Sequence, residues 1–245
     1  MYDFKRILVC LDLTAHDKYL IESAANWLNQ GVAEHIYFFH VTEDLDLSNE
    51  LLRKYPTLAD PFDERLKKLM DDKIKLHFEA DVSKCDTIVV DGNRFDEILK
   101  WSRVKFADLV IMGKKPKDQA SFELPEKVIQ LLHTSVLLIP AFETKAISKV
   151  LVPTDFSKCS SLALRQAVKV KQALQADIVC LNIYRVPSGF HSTGKSYEEF
   201  AKIMKGHAEK GFQEFLELNQ LADQGISCEF ILGEGNAAEQ IHAMA

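Results

Sequence analysis

The sequence predicts an α/β chain made of two doubly wound, Rossmann-like parallel-sheet domains in tandem. The expected strand order is 3-2-1-4-5, and the second domain is expected to lack its last two strands. Three observations carry this reading. Short, nearly unbroken apolar runs such as "RILVCL" (6–11) and "ADLVIMG" (107–113) are what strands covered on both faces require. These runs alternate with helix-period stripes, the pattern of right-handed βαβ crossovers. A strand–acid–helix sentence is also written twice, as "ILVCLDLT" and "VLVPTDFS", with Asp155 following Asp12 by 143 positions.

In the first copy, "RILVCL" is strand one. Leu20, Ile21, Ala24, Trp27 and Leu28 then form one apolar helical stripe, which Gly31 ends. "HIYFFHV" (35–41) is strand two. Phe62, Leu66, Leu69 and Met70 mark a second helix, with Asp60-Pro61 as its cap and first turn. "DTIVVDG" (86–92) is strand three, followed by a helix with Ile98 and Trp101 inward. "ADLVIMG" is strand four, a helix follows near Pro125–Leu132, and "SVLLIP" (135–140) is strand five.

The connector "AFETKAIS" (141–148) leads into the second copy, so the expected domains are 1–142 and 143–245. "VLVP", "IVCLNIYR" (178–185) and "SCEFILG" (227–233) repeat the first three strands. "GN" at 92–93 answers "GN" at 235–236. The counterpart of residue 140 would fall about 38 residues beyond Ala245. The expectation is that the natural protein carried those residues or that another chain covers the exposed strand. A long polar helix is expected from Ser196 to about Leu221, with Phe200, Ile203, Met204, Phe212 and Phe215 packing inward. "RVPSGFHSTGKS" (185–196) reads as a solvated loop over the strand ends.

Composition narrows the function. With 47% hydrophobic and 27% charged residues, the 245-residue chain has ordinary globular composition. A formal charge of −6 argues against nucleic acid as a partner. No run reaches the roughly 18–20 apolar residues of a membrane span, and the N-terminal run is too short for a secretory signal. Five scattered cysteines without a CxxC pair suit a reducing cytoplasm. The histidines lack metal-ligand spacing, so no metal is expected, and His40, His191 and His207 read as structural. Gly233 and Gly235 stand in no full GxGxxG and read as a turn into a helix.

"ILVCLDLT", "VLVPTDFS", "FFHV", "DGN" and "ADLVIMGKK…VIQLLHTSVLLIP" together resemble the universal stress protein family in its tandem form, over nearly the whole chain. The resemblance implies five-stranded domains that dimerise, often holding ATP or AMP at the carboxyl ends of the strands. It implies nucleotide-binding roles for Asp12, Val41, Met112 and Gly113 in the first copy. In the second copy it implies such roles for Pro153, Thr154 and Asp155, with Ile183 at the base-contacting position that Val41 holds in the first. In that family the phosphate loop after strand four is patterned G-x2-G-x9-G-[S/T]; the second copy's loop would fall in the stretch expected beyond Ala245. In the first copy Pro116 replaces the second glycine, and Phe122 and Glu123 replace the last Gly and Ser/Thr. Those departures remove close backbone approach and add like charge, although Lys114, Lys115 and Lys117 stand nearby. The first copy is therefore expected not to cradle ATP in the family manner.

Two roles stay open for each aspartate: ligand contact, or a purely local bond that holds the strand-to-helix turn. The resemblance implies a non-catalytic stress-response regulator of nucleotide-binding ancestry. The alternative is a nucleotide-free interaction module acting through dimerisation and an unnamed protein partner. Assembly would be a homodimer or an intramolecular pairing of the two domains. Neither SGGxDS nor HxGH, the signatures of enzymes on related folds, occurs in the chain.

Overall fold

The computed structural model describes residues 4–42, 54, 62–114, 123–141 and 147–245. The chain divides into two compact units, Met1–Lys145 and Ala146–Ala245. In the first, β1 (Arg6–Cys10), α1 (Asp17–Asn29), β2 (His35–Thr42), α2 (Phe62–His77), β3 (Cys85–Asp91), α3 (Arg94–Val104), β4 (Leu109–Lys114), α4 (Glu123–Leu131) and β5 (Ser135–Pro140) follow in order. All strand pairs are parallel, and the sheet order is β3-β2-β1-β4-β5.

The central strands β1 and β4 explain why their sequences read as unbroken apolar runs. Ile7, Leu8, Val9, Val110 and Ile111 are all 0% exposed, because helices cover both faces of the sheet. Each such side chain stabilises the fold by about 1.5–3 kcal/mol through removal from water. The α1 stripe is buried as expected, and the helix stops where Gly31 adopts φ +70°. Along α2 the inward row is Leu66, Met70 and Ile74, while Leu69 is 55% exposed. The expected stripe is thus shifted: i, i+4, i+8 spacing follows the face against the sheet and leaves Leu69 outside. The expected Asp60-Pro61 cap lies outside the described residues. Ile98 on α3 is buried, and Trp101 packs on Phe39 with ring centroids 5.9 Å apart.

The second unit contains β6 (Lys149–Pro153), α5 (Lys158–Leu174), β7 (Asp177–Tyr184), α6 (Tyr197–Leu218), β8 (Ser227–Leu232) and α7 (Ala237–Met244). Its parallel sheet runs β6-β7-β8. Leu164, Ile178, Cys180, Phe212, Phe215 and Leu216 form the heart of its core. Ser196 caps α6 through a reciprocal capping box with Glu199.

Only the later part of α6 packs as expected. Phe212 and Phe215 are buried, but Phe200 and Met204 are half-buried and Ile203 is 37% exposed. A 22-residue helix is about 33 Å long, whereas the six-residue β8 reaches only about 20 Å. The first turns of α6 therefore lie against the 3-10 turn Ser188–Thr193, where Phe190 meets Tyr197 and Phe200. The 185–196 stretch is accordingly not plain loop. Ser192 and Thr193 hydroxyls donate to the Gly189 and Phe190 carbonyls and tie the turn together.

The repeat extends to backbone detail. Leu13 and Phe156, equivalent positions after the repeated aspartates, share φ values of 62° and 63°. Leu11 N–H donates to Phe39 O and Thr154 N–H to Leu181 O, both at 2.8 Å. His40 Nδ1 donates to Leu11 O at 2.8 Å, and Asn182 Nδ2 donates to Thr154 O at 2.9 Å. One difference appears after the third strand of each copy. Gly92 N–H donates to Thr42 O and Gly233 N–H to Tyr184 O, so the strand end pairs Gly92 with Gly233 rather than Gly235. The second copy then inserts Glu234 and Gly235 before Asn236, the helix cap that answers Asn93. Those glycines thus serve the strand-to-helix turn.

Candidate functional site at the carboxyl ends of the strands

In the first unit the β1–β4 ladder ends at the Val9–Ile111 pair, while the β1–β2 ladder runs on to Cys10–Phe39. Past that point Leu11 leans toward β2, and a cleft opens between β1 and β4. This is the point where the strand order reverses, the usual place for ligands in open α/β sheets. The cleft has a cavity volume of about 80 Å³. Asp12, Val41, Met112 and Gly113 all line it, so the structure brings the four sequence-derived residues of the first copy together. Phe39, Ile98, Met112 and Leu124 make its apolar part, and Asp12, His16, Asp17, His40 and Arg94 its polar part.

The Asp12 turn is held from several sides. Asp12 Oδ1 accepts from Thr14 N–H at 3.2 Å and from Thr14 Oγ1 at 2.6 Å, a local turn in which the side chain imitates backbone. Asp12 N–H donates to Asp17 Oδ1 at 3.1 Å. Asp17 is 1% exposed, and Lys73 from α2 reaches its Oδ2 at 2.9 Å while also donating to Thr14 O. Burial pushes the Asp17 carboxyl above its ordinary value, against the opposing pull of Lys73 and of the Asp12 N–H.

His16 was not singled out by the sequence, yet it closes one end of the cleft. It is 8% exposed, and its Nε2 lies 2.9 Å from Ile139 O on β5. A carbonyl only accepts, so Nε2 carries the proton. The ring rests on Gly113. A Cβ placed there would lie 2.7 Å from His16 Cε1 and 2.8 Å from Nδ1, closer than real contacts allow. His40, read as structural, is half-buried and lines the cleft while bonded to Leu11 O. Burial pushes the Cys10 thiol up to about 12. Asp17 had one sequence signal: at the repeat offset its partner is Ser160. His16 and Lys73 had none, because their role depends on contacts 123 and 56 residues away.

Lys114, the last residue of β4, is exposed. Lys115, Pro116, Lys117 and Phe122 lie outside the described residues, as does the side chain of Glu123.

In the second unit Pro153, Thr154, Asp155 and Ile183 stand at the carboxyl ends of neighbouring strands β6 and β7. Pro153 and Asp155 are exposed, Thr154 is buried and Ile183 is half-buried. Asp155 Oδ1 accepts from Ser157 N–H at 3.0 Å and from Ser160 Oγ at 2.6 Å. Hydrogen bonds from Ser157 and Ser160 hold its carboxyl down at about 2. Ser157 also caps α5 by accepting from Ser160 N–H. Both aspartates therefore perform the local holding role. Among the described residues, no group of three or more His, Cys, Asp or Glu is arranged to hold a metal ion. No described helix is long and apolar enough to cross a membrane.

The profile of the universal stress protein family matches residues 3–140 and again 146–245. Among solved structures, a universal stress protein from Archaeoglobus fulgidus DSM 4304 aligns with 99% of this chain and 81% of its own. Its identity is 16% and its TM-score 0.58. A chain assigned as a universal stress protein from Pseudomonas aeruginosa UCBPP-PA14 covers 98% of this chain and 78% of its own, at 12% identity and TM-score 0.61. A universal stress protein in complex with cAMP aligns with 57% of this chain and 98% of its own, at 15% identity and TM-score 0.41. No curated protein matches the sequence.

Proposed function

The chain belongs to the universal stress protein family in both of its halves, and from that premise we propose a non-catalytic stress-response regulator whose first unit holds an adenine nucleoside moiety. The observation that carries this reading is the meeting of Asp12, Val41, Met112 and Gly113 on one cleft at the reversal of strand order. In this reading Val41, Met112 and Ile98 face the base and Asp12 accepts from ribose hydroxyls. In the second unit Asp155 and Ile183 take the positions equivalent to Asp12 and Val41, with Pro153 and Thr154 beside them at the end of β6.

A regulatory rather than catalytic role is supported by how the reactive groups are engaged. His16 and His40 each commit a ring nitrogen to a main-chain carbonyl. A Cys10 thiol pushed up to about 12 supplies almost no thiolate for nucleophilic attack. All five cysteines are free thiols, in keeping with a cytoplasmic setting. Pairing as a homodimer, common among universal stress proteins, belongs to the same proposal.

Titration calorimetry of the full chain with adenosine and AMP tests the reading. Binding in the micromolar range is expected. Asp12→Asn keeps the Oδ1 acceptor for Thr14 but removes the charge, and is expected to weaken binding about tenfold. Absence of heat up to millimolar concentrations of both would overturn it. A second reading, the nucleotide-free interaction module, is favoured by one observation: Asp12 is already engaged by Thr14. That null titration would leave the module standing.

A further inference from the structure

A phosphate group needs several donors converging on it, usually backbone N–H groups at a helix start or a glycine-rich turn. At the β1 rim of the first unit five such N–H groups are already engaged. Leu11 N–H goes to Phe39 O, Asp12 N–H to Asp17 Oδ1, Thr14 N–H to Asp12 Oδ1, His16 N–H to Thr14 Oγ1 and Asp17 N–H to Thr14 O. Lys73 is directed to Asp17 and to Thr14 O. Across the cleft, Gly113 has no side chain to keep a ligand off the backbone. The space above it holds the imidazole of His16, anchored to Ile139 O.

Taken together, these contacts make the absent Cβ of Gly113 a seat for His16. We propose that His16 is the specificity-determining residue of this cleft: it admits a nucleoside, whose hydroxyl and amino donors suit the acceptor rim at Asp12, and excludes a nucleoside polyphosphate. The inference rests on the nucleoside reading and sharpens it to a ligand class. Arg94 lines the same cleft and, as a cation, works in the opposite direction. Exclusion therefore comes from occupied space and engaged donors and not from net charge.

The test uses the full chain labelled with ¹³C-methyl methionine. Met112 is 4% exposed and lines the cleft, so its methyl signal, assigned through Met112→Leu, reports on this site alone. In the unaltered protein adenosine is expected to bind at least about tenfold more tightly than ATP. His16→Ala is expected to shift the ATP-to-adenosine affinity ratio about tenfold toward ATP. His16→Asn, which keeps a donor for Ile139 O on a smaller side chain, is expected to move the ratio in the same direction by less. It also serves if His16→Ala fails to fold. An ATP-to-adenosine ratio unchanged in both variants, or ATP binding as tightly as adenosine to the unaltered protein, would overturn the exclusion while leaving the nucleoside reading intact. A Met112 signal that answers neither ligand in any variant would overturn both.

Discussion

Lys73→Met is expected to destabilise the first unit by about 3 kcal/mol at neutral pH and by clearly less in acid. Lys73 is the cation facing a carboxylate that is only 2% exposed, and removing one partner of such a pair costs about 3–5 kcal/mol. The low end applies because the Lys73 side chain is itself 29% exposed and already partly solvated. The pH dependence follows from the direction of the Asp17 shift. Burial raises its folded-state value above the unfolded one, so the stability it contributes is complete below the unfolded value and is lost as pH rises through the folded value. Without Lys73 that folded value climbs further, and the penalty at neutral pH grows. Thermal unfolding at pH 7.5 and pH 5 checks this. A melting point lowered by roughly 5–10 °C at the higher pH, with part of the loss recovered at the lower, is expected. An equal loss at both would mean that Lys73 acts by packing alone. Asp17→Asn should be milder, since the ammonium left behind can turn to water whereas the carboxylate cannot.

Gly113→Ala is expected to cost about 2 kcal/mol in the unaltered protein and little in a His16→Ala background. The added methyl would sit 2.7 Å from a ring that is buried and tied to Ile139 O, so either the ring leaves its bond or β4 shifts. Overpacking of this kind costs about 1–3 kcal/mol, and a broken buried hydrogen bond falls in the same range. Removing the ring removes the clash. A double-mutant cycle by chemical denaturation should therefore return a coupling of about 1–3 kcal/mol. Additive effects would show that His16 and Gly113 do not share that space.

Much of this architecture is legible in the sequence for a simple reason. Strands buried on both faces leave no room for polar residues, so β1 and β4 announce themselves as Ile7–Val9 and Leu109–Met112. A repeated aspartate at the end of the first strand locates the rim in each copy. What stays hidden depends on partners distant in sequence. Nothing local to "LTAHDKY" says that His16 will meet a carbonyl on β5 or that Asp17 will need Lys73. Leu69 illustrates the opposite error: it shares the helical period but misses the covered face by one position in the turn. Ile203 fails for another reason, because α6 outruns the sheet beneath it.

A crystal structure of the full chain grown with saturating adenosine is the most direct test of the nucleoside cleft. The expected result is a nucleoside between the ends of β1 and β4, its ribose against Asp12, with His16 still bonded to Ile139 O. A cleft that stays empty under those conditions would contradict the account. So would a companion crystal with ATP in which the phosphates rest on Gly113 and His16 has swung away.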